Sequence, residues 1–337
     1  MRFALQTNSV SSHQLPLARE IVRRIGAENY RYIYTGTELQ GGAQEVAATE
    51  PWIVRADAPD AQEWLENVDV LLTSSRDMDF LERRSARGLR TFYQGERWFK
   101  PIPLFTFAAG LHLFLPGWVR MWVPRYRRMA KRFVKLTKAD ANFRVLPIGP
   151  WAERDFRRLG VSAEKMTRWG YFVEASDSVQ SPRGSAVQIK PHCSLRVLWV
   201  GRPLGLKRVD TIRKAVAQVP EATLDVLTGL TPAQVRKEMR THDVFVFASN
   251  AMEGWGAVVS EALTEGMVVL GTYETGAAAA LLPKENLFHT GDWRTLAKML
   301  AARSYRHIAL PRAYAPDGAA ETLMELCLNG YQTKEKA

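Results

Sequence analysis

The run DVFVFASNAMEGWGAVVSEALTEGMVVLGTYETG, residues 243–276, decides the fold. It opens on a continuous apolar strand at 243–247 and passes through a loop with two glycines. It then enters a helix at 256–265 and returns to a second apolar strand at 267–271. A strand buried on both faces reads as an unbroken apolar run, and such strands belong to parallel sheets covered by helices. In an open sheet of this kind the loops at the carboxyl ends of the strands line the ligand crevice. Glycine in such a loop lets the backbone approach a ligand, and the helix that follows presents free N–H groups to an anion.

Outward from this run the same alternation continues. Upstream lie a strand at 195–200 (LRVLWV), a helix at 207–218, a strand at 223–227 and a helix at 232–240; downstream come helices near 276–281 and 292–302. Residues 175–194 are polar, carry proline and glycine and show no sustained period, which predicts a linker. Before it stands a second series, with strands at 2–7, 30–34, 52–54, 69–73, 89–93 and 141–146, and helices at 14–25, 78–87 and 151–159. The expected organisation is α/β, with two Rossmann-like domains facing each other across a cleft. The first covers 1–174, the linker 175–194 and the second 195–317, while a last helix within 318–337 is expected to cross back to the first domain.

Two candidate sites follow from strand ends. Strand 195–200 delivers Gly201-Arg202-Pro203-Leu204-Gly205-Leu206-Lys207, with two cations beside glycine, as a diphosphate leaving group requires. Glu253 is placed to accept hydrogen bonds from sugar hydroxyls. Glu261, one and a half turns into the helix, is placed to accept from a ribose. Either motif alone is weak, since two glutamates at this spacing are usually a solvated helix face.

Together, and in this order, these residues resemble the family 4 retaining glycosyltransferases of the GT-B fold. The match covers roughly 195–300: Gly201-Arg202 with Lys207, then DVFVFAS, then EGWGAVVSEAL, whose Glu253 and Glu261 match that family's E-x7-E pair. The resemblance implies Arg202 and Lys207 on the donor phosphates, Glu253 at the donor sugar and Glu261 at the ribose. Gly254, Trp255, Gly256 and Gly276 would complete the donor site. It further implies transfer of a hexose-type sugar from a nucleotide sugar to a hydroxyl with anomeric configuration retained, the departing phosphate serving as base. One departure stands out. The family usually has a further helix and strand between the segments matching LDVLTG and LTPAQVRKEM, which here join directly, so the base is left unspecified.

On the acceptor side, the loop 8–13 (NSVSSH) carries His13, and the segment YQGERWFK at 93–100 carries Glu96; both follow strands. An Arg97 partner for Glu96 is the structural alternative. With WGYF at 169–172, the ERWFK segment looks like a polysaccharide-assembly subgroup. The Asp77-Met78-Asp79 triplet opens a helix, where acids favour the positive end, so no metal and no cofactor are expected.

Composition narrows the partners. Net charge is +11, yet ten Lys or Arg residues and no acid lie between Glu96 and Asp140, so the rest of the chain is nearly neutral. Beside this basic stretch, 101–119 is uncharged and apolar, with only about 12 uninterrupted residues, short of the roughly 20 that span a bilayer. A helix from Pro124 sets Trp122, Tyr126, Met129 and Phe133 on one stripe, next to Arg125, Arg128, Arg132 and Lys135. Together with Trp98 and Trp118, this predicts that 101–138 meets an anionic membrane surface and a glycan or lipid-linked acceptor. Two distant cysteines, no zinc spacing and a strand from residue 2 predict a cytoplasmic protein attached peripherally to a membrane. A nucleotide-sugar epimerase is the rival enzyme, and donor incubated alone would reveal it. A nucleic-acid-binding role for the basic stretch finds no supporting motif.

Overall fold

The structure is a computed structural model that describes residues 1–36, 49–106, 112–174 and 194–329. The expected linker, apart from Ser194, lies outside the described residues. So do the last eight residues of the chain.

The first domain is a six-stranded sheet in the order β3-β2-β1-β4-β5-β8, parallel throughout. Its strands are β1 (Phe3–Thr7), β2 (Tyr30–Tyr34), β3 (Ile53–Arg55), β4 (Val70–Thr73), β5 (Arg90–Gly95) and β8 (Phe143–Pro147). β4 is buried along its whole length, which is why it reads as a plain apolar run. Between β5 and β8 the chain adds an antiparallel hairpin, β6 (Ile102–Thr106) and β7 (His112–Leu115), and the helix Pro124–Ala139.

The second domain is a five-stranded parallel sheet, β10-β9-β11-β12-β13. Here β9 is Leu195–Val200, β10 Ala222–Leu227, β11 Val244–Phe247, β12 Val268–Thr272 and β13 Leu287–Phe288. After β10 the chain runs straight to the helix Pro232–Met239 with no strand between, so β10 is an edge and only half-buried. The helix at 207–218 is shorter than its pattern predicts: a 3-10 turn, Gly205–Lys207, gives way to Val209–Val216. Arg208 separates the two at φ 50°, ψ 43°, a left-handed conformation costly for a residue with a Cβ.

The final helix, Pro316–Asn329, packs against the first helix, Leu15–Ile25, and Arg24 Nη2 donates to Asp317 O at 3.1 Å. The Arg90 guanidinium of β5 also donates to Cys327 O. The chain's end thus straps the second domain to the first. Elsewhere the domains meet along a seam where Trp151 Nε1 donates to Tyr273 O at 2.8 Å, and the helix Pro150–Leu159 packs against Gly276–Leu281.

The helix Pro124–Ala139 corrects one expectation. Phe133 is in the core of the first domain, with Tyr126 and Met129 packed against it, so that stripe faces inward. Trp98 is also buried there, in contact with Phe133 and Phe156. Only Trp118 and Trp122 face outward, 49% and 73% exposed and packed edge to face. Among the described residues no helix is long and apolar enough to cross a membrane.

Candidate active site

The strand order of the second sheet reverses between β9 and β11, and the loops after these two strands bracket that switch point. They are tied together: Asn250 N donates to Leu206 O at 2.9 Å. Asn250 also shapes its own loop, since its Oδ1 accepts from Met252 N at 2.9 Å and its backbone oxygen accepts from Glu253 N at 3.0 Å. Asparagine is the residue whose short amide folds the chain back in this way, and its position three residues past the end of β11 is the signal that marks it. Its buried Nδ2 has no hydrogen-bond partner among the described residues.

This arrangement brings Lys207 and Glu253 together as an ion pair between the Lys207 ammonium and Glu253 Oε2. Lys207 also lies 5.7 Å from the centroid of the Phe247 ring. The two charges expected at phosphate and sugar therefore hold each other in place. Arg202 is exposed at the mouth of the same loop, with no side-chain partner among the described residues. Glu261 lies on the helix Ala257–Thr264, which has no side-chain cap at its start. Burial pushes its carboxyl pKa up, against the pull of Arg236.

The glycines answer to different demands. Gly256 adopts φ +90°, and a Cβ there would collide with the Phe247 ring. At Gly254 a Cβ would collide with the carboxylate of Glu96, which reaches over from the first domain. Gly276 is not open to a ligand: its N–H donates to Gly254 O at 3.1 Å, and a Cβ would stand 2.6 Å from that oxygen. Trp255 likewise turns away from the donor loop's open side. It is 1% exposed, stacked on Tyr314, and so near Gly170 that a Cβ there would meet its ring at 2.7 Å. Both residues build the seam between domains, so a direct donor contact from the Trp255 side chain does not fit this geometry.

On the facing side, Glu96 Oε1 accepts from the Tyr171 hydroxyl at 3.1 Å, and its Oε2 lies 3.5 Å from Lys100 Nζ. Arg97 does not pair with Glu96; it lies 3.4 Å from the buried Asp155, which also accepts from Phe99 N at 2.9 Å. Burial and the Glu96 carboxylate raise the Tyr171 pKa well above its usual value, so the phenol stays protonated and donates. His13 stacks on Tyr171 with ring centroids 6.5 Å apart, and burial lowers its pKa, which favours the neutral imidazole. Tyr171 thus connects the two acceptor-side candidates. Sequence spacing gave no hint of that, because 75 residues separate it from Glu96.

The acidic triplet after β4 has other duties. Asp77 Oδ1 accepts from Asp79 N at 3.0 Å and Phe80 N at 3.1 Å, capping the helix Met78–Ala86 as expected. Asp79 pairs with Arg132. No cluster of three or more His, Cys, Asp or Glu side chains suited to a metal occurs among the described residues.

No protein-family profile matches the chain, and no curated protein sequence matches it. Solved structures do. Alr3699/HepE of Anabaena, solved in complex with UDP and glucose, superposes with TM-score 0.59 at 13% identity over 100% of both chains. The lipopolysaccharide outer core galactosyltransferase WaaB, in its apo form, gives 0.65 at 13% identity over 98% of this chain and 100% of that one. A glycosyltransferase from Rickettsia africae gives 0.58 at 11% identity over 99% and 98%. Likeness at such identities speaks for the fold: the chain has the two-domain, parallel-sheet fold of the GT-B glycosyltransferases.

Proposed function

We propose that the chain is a retaining, metal-independent glycosyltransferase that moves a hexose-type sugar from a nucleotide sugar to a hydroxyl of a glycan or lipid-linked acceptor. The observation that carries this reading is the meeting of Lys207 and Glu253 at the β9/β11 switch point, with the Glu96 carboxylate of the opposite domain lying against the next residue, Gly254. In this reading Lys207 and Arg202 neutralise the diphosphate as the C1–oxygen bond breaks. Glu253 accepts from the donor sugar, and Glu261 from the ribose. The new bond forms between C1 and the acceptor oxygen, on the face the diphosphate leaves, and the acceptor proton passes to the departing phosphate oxygen. Glu96, fixed by Tyr171 and Lys100, and His13 hold the acceptor hydroxyl.

UDP-glucose is the first donor to try, since the Anabaena neighbour was solved with UDP and glucose. Calorimetry against a panel of uridine and guanosine sugars tests the assignment. Micromolar binding of one donor is expected, with release of its nucleoside diphosphate once an acceptor glycan is present. A chain that binds none of the panel would end the proposal, and one that converts a donor without acceptor would be an epimerase.

The exposed Trp118 and Trp122, beside Arg120, Arg125 and Arg128, support a peripheral seat on the cytoplasmic face of an anionic membrane.

A further inference from the structure

A cavity of about 770 Å³ opens between the turn at the start of the helix Met78–Ala86, the 3-10 segment Gly117–Trp122 and the helix Pro124–Ala139. Five arginines line it, Arg76, Arg120, Arg125, Arg128 and Arg132, against two carboxylates, Asp77 and Asp79. Both acids are engaged, Asp77 in capping its helix and Asp79 with Arg132. Three of the arginines are held in position. Arg76 Nε donates to the Tyr93 hydroxyl at 3.2 Å and lies 4.7 Å from the Trp98 ring centroid. Arg120 Nη1 donates to Lys100 O at 2.6 Å, and Arg132 makes a two-pronged contact with Glu82 at 2.9 and 2.7 Å. Arg125 and Arg128 have no acidic partner among the described residues. Arg125 and Arg128, at i and i+3, share one helix face, so their charges repel until an anion lies between them, whereas Arg132 is already met by Glu82 and Asp79.

The unpaired Arg125 and Arg128, with the remaining N–H groups of the held Arg76 and Arg120, match a phosphoryl group, which can accept two parallel N–H bonds from one guanidinium. The cavity is also large enough for more than a bare ion. The exposed indoles of Trp118 and Trp122 belong to the same 3-10 segment as the cavity-lining Arg120. Arg120 leads on, through its bond to Lys100 O, to the Lys100–Glu96 pair at the candidate acceptor site. Exposed indoles, cationic pocket and the candidate acceptor carboxylate are thus joined through Arg120, as a tail, a phosphate and a sugar would be.

We propose that this cavity is a phosphoryl subsite that holds the phosphate or diphosphate ester of the acceptor; calling the ligand an acceptor rests on the glycosyl-transfer reading. The test is titration of geranyl diphosphate, as a soluble tail-plus-diphosphate probe, into protein saturated with UDP and kept in EDTA. Arg125→Gln/Arg128→Gln is compared with Arg127→Gln/Lys131→Gln, which removes the same charge from exposed helix positions outside the cavity. The expected result is saturable binding that weakens about tenfold or more in the first variant and less than twofold in the second, from the loss of charge-assisted bonds. Equal weakening in both variants would overturn the subsite, leaving only diffuse charge. Two further arms separate the sources of the anion. If inorganic phosphate binds as tightly as the probe, or if anionic vesicles bind while the probe does not, the acceptor assignment falls. Failure of the wild type to bind UDP or any nucleotide sugar would instead sink the transferase reading. The contrast between the two variants would still report on the pocket.

Discussion

The carboxylate of Glu96, from the first domain, occupies the space directly against Gly254 of the second, where any side chain would put its Cβ. The loops after β5 and β11 therefore touch, and the residue type at 254 governs how closely.

Gly254→Ala is expected to leave the protein folded, because the colliding atoms are the free end of a flexible side chain. Glu96 must then leave Tyr171, and kcat/KM is expected to fall about tenfold, in line with losing one orienting contact. Thermal melting and steady-state kinetics check the two halves. Unchanged kinetics in a folded Gly254→Ala protein would show that Glu96 has no part in catalysis.

Lys207→Ala removes the cation proposed to face the leaving diphosphate and strands Glu253. The chemical rate is expected to drop by about 10²–10³, as for loss of one preorganised charge stabiliser. Single-turnover measurement isolates that step, and a rate within twofold of wild type would remove the phosphate role.

Glu261 links pH to both stability and binding. Its folded pKa is raised above the ordinary 4.5 by burial, so the charged form is disfavoured in the native state. For a raised pKa the stabilising contribution is complete below the unfolded value and is lost as pH rises through the folded one. Glu261→Gln is therefore expected to melt higher than wild type at pH 7, an advantage that disappears below about pH 4.5, while its UDP affinity is reduced. A variant less stable at pH 7, with undiminished affinity, would contradict both points.

Asp77 and Asp79 are separable by mutation. Asp77→Ala is expected to cost about 1 kcal/mol of stability through loss of a helix cap, with little effect on rate per folded molecule. Transfer should persist in excess EDTA, and Asp79→Asn should matter little. Activity abolished by chelation and restored by manganese would show that the triplet binds metal.

Membrane seating is expected to depend on the two outward indoles. Wild type should sediment with anionic vesicles and release as salt rises, because each basic side chain near such a surface contributes about 1 kcal/mol within a Debye length. Trp118→Ser/Trp122→Ser should release the protein while UDP binding persists. Sedimentation equal to wild type would assign this face elsewhere.

The alternation of strands and helices was legible because fully buried parallel strands such as Val244–Phe247 are apolar without interruption. Elements too short to show a period were not: the helix Ala61–Asn67 has seven residues and β13 has two. The candidate donor motifs stood out because each is local to one strand end. The pairing of Lys207 with Glu253, and the hold of Tyr171 on Glu96, arise from topology and leave no periodic trace. The place of the Trp255 side chain was hidden for a related reason. Between two glycines in a binding loop, an indole looks like a ligand contact, and only the opposite domain shows that it is filling a seam.

That indole has a consequence for modularity. Trp255 belongs to the donor loop, yet its ring sets the spacing against Gly170 and Tyr314, while Gly149 approaches Gly276 so closely that a Cβ would stand 3.1 Å from its Cα. The hydrogen bond from Gly276 N to Gly254 O then ties the gasket to the candidate donor loop. Two-domain enzymes of this shape invite recombination, in which one half is exchanged to obtain a new donor. Here the halves are not interchangeable parts. A chimera that imports a foreign second domain must carry positions 149, 170, 254–256, 276 and 314 as one set, or the graft will jam or gape at the very loop it was meant to supply.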